Sequence, residues 1–147
     1  MNLILLFICT GNTCRSPMAQ GLAQRVFGPE VEVRSAGLEA WDGDAPSLQA
    51  IQVMQGRGLD ISGHQAQRVQ EEQVAEADWV IPMTKEQENL LRRRFPHLAF
   101  KIKCLGAWSE SGQDIIDPWG GSLAAYQKSA EEIEKLLYEV KVWLNLH

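Results

Sequence analysis

The run Leu3-Ile4-Leu5-Leu6-Phe7-Ile8 shows no alternation of apolar and polar residues. That is the pattern of a strand buried on both faces, not of one with a wet side. Beyond it, Met18, Ala19, Leu22, Ala23, Val26 and Phe27 recur at helical spacing. Ser16 is a suitable N-cap for that helix and Pro17 a suitable first residue, with Gly28-Pro29 as its stop. Val31-Glu32-Val33-Arg34-Ser35 alternates and ends at Ala36-Gly37, predicting a second strand. Ala45-Pro46 opens a helical stretch whose inward residues are predicted as Leu48, Ile51, Val53 and Met54, closed near Gly56-Arg57-Gly58.

A short helix is predicted over Glu71–Ala77 and a third strand at Trp79-Val80-Ile81, with Pro82 at its end because it cannot donate to a ladder. Thr84 caps the next helix, Lys85–Phe95, which Pro96 stops. Phe100-Lys101-Ile102-Lys103-Cys104-Leu105 is predicted as a fourth strand. Gly121-Ser122 leads into a long amphipathic helix to Leu146, with Ile133, Leu136, Leu137, Val140, Val142 and Leu144 as its apolar positions. Strands alternating with helices predict one α/β domain over residues 1–147. Its four-stranded parallel sheet would be covered by helices on both faces, in three layers. No repeat, low-complexity run or linker interrupts it.

Between the first strand and the first helix lies Cys9-Thr10-Gly11-Asn12-Thr13-Cys14-Arg15-Ser16-Pro17. A cysteine at a carboxyl strand end, a tight loop and an arginine at a helix start are the parts of a site that transfers phosphoryl groups to sulfur. Loop N–H groups can point at phosphate oxygens, and Arg15 can grip two of them with its planar, permanently charged fork. The helix N-terminus adds partial positive charge on the same side. Taken singly, Cys9 would be a small core residue and Arg15 a surface charge. Their joint spacing around a Gly-Asn turn favours the functional reading. The three-glycine dinucleotide fingerprint is absent, and so is the Gly-Lys pair of a nucleoside-triphosphate loop.

Composition narrows the classes. The 147 residues suffice for one domain with a sizeable core, and 45% hydrophobic with 22% charged residues is ordinary for a globular protein. A net charge of −5 argues against general nucleic-acid binding. Three cysteines, an odd number, do not make a secreted disulfide framework. The N-terminal apolar run is too short for a membrane span and lacks a basic leader and cleavage site. A cytoplasmic protein with no membrane association is therefore expected, and a reactive thiolate survives best there. Cys9, Cys14 and Cys104 lack the close pairing of zinc ligands, so neither metal nor other cofactor is expected.

The chain resembles the low-molecular-weight protein phosphatases. Their signature is a cysteine, five residues and an arginine followed by serine near the N-terminus, and Cys-Thr-Gly-Asn-Thr-Cys-Arg-Ser matches it fully. The resemblance continues through Arg34-Ser35-Ala36-Gly37, Asp60-Ile61-Ser62-Gly63-His64 and Asp114-Ile115-Ile116-Asp117-Pro118, so it covers essentially the whole chain. It implies a flavodoxin-like fold and a cysteine-dependent hydrolase. Cys9, Arg15 and Asp117 would be catalytic, and Thr10, Gly11, Asn12, Thr13, Cys14, Arg15 and Ser16 would bind phosphate. Asp117 would be the general acid, aimed by Pro118; Asp114 does not precede the proline. Ser16 would donate to the sulfur, Asn12 adopt the strained turn, Ser35 hold it, and His64 brace the structure. Cys14 would trap an oxidised Cys9 as a reversible disulfide. The implied partners are a phosphorylated protein as substrate and inorganic phosphate as product and competitive ligand.

Substrate choice rests on three residues. Tyrosine-directed members carry a branched aliphatic residue at the position of Thr13. Thr13 and Trp119-Gly120-Gly121-Ser122 resemble the protein-arginine phosphatase branch instead. Trp41, in Ala40-Trp41-Asp42-Gly43-Asp44, resembles the aromatic wall that clasps a phosphotyrosine ring, or it merely covers a loop. Phosphoarginine is the expected substrate and phosphotyrosine the alternative. Arsenate reduction would need relay cysteines, and Cys104, at the end of a predicted core strand, is badly placed for that. A non-catalytic phosphate-binding module would need neither Cys9 nor Asp117.

Overall fold

The unbroken apolar run becomes the central strand. In a computed structural model that describes residues 2–146, β1 (Leu3–Cys9) lies between β2 (Val31–Gly37) and β3 (Trp79–Pro82), parallel to both. Leu5 faces Val33 on one side and Trp79 on the other, and Cys9 pairs with Gly37. A strand flanked on both sides must bury both faces, which explains why it carries no polar residue between Leu3 and Ile8.

The two faces take different helices. Leu5 and Phe7 pack into one apolar layer with Met18 and Leu22 of α1 (Arg15–Phe27), Met54 of α2 (Leu48–Gly56) and Ile133 of α5 (Leu123–Trp143). Leu6 and Ile8 pack into the other with Val74 of α3 (Glu71–Glu76) and Leu91 of α4 (Lys85–Arg94). Thr84 caps α4 as expected, in a reciprocal capping box with Gln87. Pro82 ends β3, and the N–H it lacks is on the side away from β1.

The predicted fourth strand does not form, so the sheet has three strands. Pro96–Lys101 and Leu105–Trp108 are short 3-10 turns, and Ile102 makes only an isolated bridge to Val80. The Lys103 N–H donates to the Val80 carbonyl at 3.0 Å, but Pro82, next in line, has no N–H for the Lys103 carbonyl, and Leu105 enters a 3-10 turn, so the ladder stops there. On the outer edge, Glu88 accepts from the Cys104 N–H at 2.8 Å, and Arg92 donates to the Ile102 carbonyl. Lys101 turns inward and donates to the carbonyls of Ala75 and Ala77 at the end of α3, at 2.8 and 2.7 Å. Ile102 and Cys104 are nevertheless buried, so their apolar signal reports burial without strand pairing.

Two positions expected to face inward do not. Leu48 opens α2 just after its Ser47 cap and is exposed; Ala50, Val53 and Met54 carry the buried stripe. Val142 is exposed on the last turn of α5, whereas Leu144 packs partly against the core.

The Leu105–Trp108 turn matters to the site because Gly106 lies against the backbone of Gln113, ahead of Asp117. A Cβ at Gly106 would overlap the Gln113 carbonyl oxygen. On the other side of this turn, Trp108 packs edge-on against Trp79 and Trp143, with ring centroids 5.0 and 5.2 Å away, so the turn cannot back off. Gly106→Ala should therefore destabilise the fold by about 1–3 kcal/mol, as overpacking does. It should also lower turnover, because the displaced segment leads to Asp117. Urea unfolding together with kcat on an aryl phosphate checks both.

Candidate active site

Going from β1 to β2 the chain moves to one side of the sheet, and it then crosses to β3 on the other. The carboxyl end of β1 is thus a switch point, where open parallel sheets leave a crevice. Cys9 sits there, 3% exposed.

The next residues curl back over the sulfur because Asn12 adopts a left-handed backbone, φ 56°. Asn is one of the few non-glycine residues that tolerate it. The curl lets the Asn12 N–H donate to Cys9 Sγ at 3.3 Å. The Asn12 amide donates to Ser16 Oγ at 2.7 Å and Ser35 Oγ at 3.0 Å, and its Oδ1 accepts from the Gln67 N–H at 2.9 Å. His64 Nε2 lies 2.9 Å from the Asn12 carbonyl, which can only accept. Ser35 passes its own proton to Gln20 Oε1 at 2.7 Å.

Ser16 is not the helix cap. The helix already begins at Arg15, and Cys14 at the cap position makes no side-chain cap bond. Ser16 Oγ lies 2.9 Å from Cys9 Sγ. Because it already accepts from Asn12, its hydroxyl proton is free to point at the sulfur. Gly37, paired with Cys9, is required by space: a Cβ there would come within 2.7 Å of the Thr10 carbonyl and 2.9 Å of Ala40 Cβ.

Arg15 is 4% exposed and lies under the loop. One terminal nitrogen donates to the Ile115 carbonyl at 2.8 Å, and the other lies 3.6 Å from Asp117 Oδ2. Its Nε is buried and has no hydrogen-bond partner in the chain. An orphaned, charged donor is costly unless something meets it. An anion in the adjoining cavity, of about 270 Å³ and lined by Cys9, Thr13 and Arg15, would do so. Thr10 and Gly11 also line this cavity. Trp41 and Trp119, 77% and 74% exposed, stand at its walls with Asp117. The Trp119 N–H donates to Asp117 Oδ1 at 3.1 Å, which fixes the carboxylate's direction.

The structure therefore gathers Cys9, Arg15, Ser16, Asn12, Ser35, His64 and Asp117 around one strand end, with Thr13, Trp41 and Trp119 at the cavity. Cys14 also lines the cavity, and its Sγ lies 3.5 Å from both Ser47 Oγ and the Tyr126 hydroxyl. Burial first, and then the bond to Cys14, push the Tyr126 hydroxyl up to about 12. Cys104 lies apart, and burial followed by nearby Glu88 raises its thiol. Gln20, Gln67, Ser47 and Tyr126 are members of the site that sequence reasoning missed. Gln67, Ser47 and Tyr126 reach the loop from distant stretches of chain, Gln20 of α1 acts through Ser35, and none carries a local motif. Among the described residues no three His, Cys, Asp or Glu side chains group to hold a metal, and no helix is long and apolar enough to cross a membrane.

The family profile described as low molecular weight phosphotyrosine protein phosphatase matches residues 4–145. This chain belongs to that family. Low molecular weight phosphatases are hydrolases, and relatives of two kinds align over most of this one. A protein-arginine-phosphatase of Geobacillus stearothermophilus is 37% identical over 134 residues, 90% of each chain. A probable low molecular weight protein-tyrosine-phosphatase, EpsP of Ralstonia nicotianae, is 36% identical over 131 residues, 89% of this chain and 88% of its own. The solved YwlE arginine phosphatase from Geobacillus stearothermophilus superposes with a TM-score of 0.92 at 35% identity, covering 97% of this chain and 93% of that one.

In this low molecular weight phosphatase the loop depends on Asn12. Asn12→Ala removes its three side-chain bonds and leaves a residue that resists positive φ, so a loss of about 2–4 kcal/mol is expected. Turnover should fall with it; chemical denaturation and kcat measure the two effects. Burial holds the His64 imidazole below its ordinary value, against the raising effect of the Asn12 carbonyl. The unfolded chain therefore takes up this proton first, and the contribution is complete above about pH 6.5 and declines as pH falls towards the folded value. His64→Gln keeps a donor for Asn12 but cannot titrate. Its melting temperature should fall less than that of the wild type between about pH 7.5 and 5.5. Parallel falls would refute that assignment.

Proposed function

We propose that this chain is a protein-arginine phosphatase, acting through a phosphocysteine intermediate within a single domain spanning residues 1–147. The reading is carried by the orphaned Arg15 Nε, whose guanidinium lies 3.6 Å from Asp117 and lines one cavity with Cys9. Anchor, nucleophile and acid thus belong to one cavity.

The reaction follows from those positions. The phosphoryl oxygens take the loop N–H groups and the Arg15 fork, whose Nε gains its partner. Cys9 thiolate attacks phosphorus in line, forming S–P as the P–N bond breaks, and Asp117 gives its proton to the departing nitrogen. Asp117 carboxylate then takes a proton from water as the water oxygen attacks phosphorus. The P–S bond breaks, phosphate leaves and the thiolate returns. The Asn12 N–H and Ser16 hydroxyl stabilise negative sulfur at both ends of the cycle, a preorganised electrostatic role. Inorganic phosphate would compete for the same donors. His64, Ser35 and Asn12 act on loop shape, not on substrate.

Thr13 and the Trp119-Gly120-Gly121-Ser122 segment support phosphoarginine. Thr13 lines the cavity with a hydroxyl available to the P–N group, and Trp119 offers an exposed face on which a guanidinium can stack. The G. stearothermophilus relative is named for this activity. The second reading, phosphotyrosine, is favoured by Trp41, exposed at the same cavity, and by the name of the R. nicotianae relative. Cys14, buried in the same loop, would trap an oxidised Cys9 if it left Ser47 and Tyr126. A reducing cytoplasm suits such a thiol.

Measuring kcat/KM on matched phosphoarginine and phosphotyrosine peptides decides the substrate. The wild type should prefer phosphoarginine by about tenfold or more, about 1.4 kcal/mol. Thr13→Ile should shift that ratio towards phosphotyrosine by a similar factor. A wild-type preference for phosphotyrosine overturns the arginine reading. No activity on either peptide, with Cys9-dependent aryl phosphatase activity retained, overturns both substrates but not the chemistry.

A further inference from the structure

The two walls of the cavity are built alike. On one, Trp41-Asp42-Gly43-Asp44 forms a tight turn closed by the Asp44 N–H on the Trp41 carbonyl at 3.1 Å, with Gly43 at φ 91°. On the other, Pro118-Trp119-Gly120-Gly121 is closed by the Gly121 N–H on the Pro118 carbonyl at 2.8 Å, with Gly120 at φ 78°. Turns with glycine at the third position and positive φ are rigid and specific. Each delivers one indole and one carboxylate to the cavity: Trp41 with Asp44, and Trp119 with Asp117. Asp117 has a use in the reaction. Asp44 has none so far.

Asp44 is held in place by more than its own turn. Its carbonyl accepts from the Ala66 N–H at 2.8 Å, and the Gly43 N–H donates to the Ala66 carbonyl at 2.9 Å. The Ser47 N–H donates to the Thr13 carbonyl at 3.0 Å, tying this loop directly to the phosphate loop. The neighbouring Asp42 carboxylate is used internally, accepting from the Arg68 N–H at 2.7 Å. The Asp44 carboxylate, exposed at the cavity, has no such partner among the described residues.

We infer that Asp44 is a specificity residue that reads the positive charge of a phosphoguanidinium. This rests on the arginine reading of the site and names the group that distinguishes the two substrates there. A phosphorylated guanidinium still carries N–H donors and a positive charge on the edge away from phosphorus. Asp117 must serve the reacting nitrogen, so a second carboxylate lining the same cavity is what that free edge needs. A phosphotyrosine brings only negative charge and an apolar ring, which gains nothing from Asp44 and is repelled by it. The same carboxylate therefore acts with opposite sign on the two substrates.

The test is kcat/KM for both phosphopeptides with wild type, Asp44→Asn and Asp44→Glu. Asp44→Asn should lower phosphoarginine kcat/KM by about tenfold, mainly through KM, since the lost bond is charge-assisted and exposed. Phosphotyrosine kcat/KM should rise, by about twofold. Added salt should shrink the difference between wild type and Asp44→Asn on phosphoarginine, because an exposed charge is screened. Asp44→Glu should recover most of the phosphoarginine rate. Loss on both substrates together, or on neither, in an enzyme that prefers phosphoarginine overturns the Asp44 assignment alone. A wild type that prefers phosphotyrosine removes the arginine reading and this assignment with it.

Discussion

At Asn12 the chain takes a backbone conformation that costs most residues about 1–2 kcal/mol, and everything catalytic hangs on that cost being met. With φ at 56° the loop turns inside out, so that a main-chain N–H reaches the Cys9 sulfur. Three side-chain bonds and the His64 contact hold the turn. At about 1 kcal/mol apiece they exceed the strain, provided each partner is itself held. Each is. Ser35 is a β2 residue bonded to Gln20 of α1, and Ser16 sits in the first turn of α1. Gln67 lies in a segment whose carbonyl accepts from Gly37 at 2.8 Å. The fold brings two acceptors and one donor from three separate stretches to one amide, which explains why the sheet and first helix must form before the loop has a shape.

The second half of the site depends on the first through Arg15. Its guanidinium is fixed by the Ile115 carbonyl and lies against Asp117, so the segment bearing the proposed acid is anchored to the proposed phosphate ligand. Ile115 is itself buried, and its N–H donates to the Met83 carbonyl at 3.1 Å, beyond the end of β3. Asp117, half exposed, can therefore approach a leaving group without losing its register with the anchor. On the proposed reading, a phosphoryl group that meets Arg15 Nε shares its cavity with the Cys9 sulfur and Asp117.

The sequence was most legible where one local rule fixed the outcome. The unbroken run Leu3–Ile8 meant a central strand, the spacing from Met18 to Phe27 a packed helix, and Thr84 with Gln87 a cap. It misled where side chains compete with the backbone. Ile102 and Cys104 look like strand residues because they are buried, yet the ring of Pro82 leaves no N–H to carry a fourth ladder past Val80. Ser16 looks like a cap, but Asn12 claims its lone pair and turns its proton to the sulfur. Leu48 and Val142 are apolar at helix ends, where the buried stripe has run out. Gln67, Tyr126 and Asp44 were illegible because only the three-dimensional path of the chain brings them to the loop.

The floor and the walls of the cavity answer to different parts of a substrate. The floor, from Cys9 to Ser16, offers main-chain donors, one guanidinium and one sulfur, and these see only phosphorus and its oxygens. No change there can separate phosphoarginine from phosphotyrosine unless it reaches the bridging atom, the role proposed above for Thr13, which lines the cavity. The walls see the leaving group. Each is a short turn fixed by its own backbone bond, so indoles and carboxylates are presented without the entropy cost of ordering a mobile loop. Changes to floor and walls should therefore separate kinetically. Damage to the floor lowers turnover on every phosphate, whereas changes to the walls move the ratio between substrates. Asp117 alone belongs to both, because the proton it carries must go to whichever atom the walls have admitted.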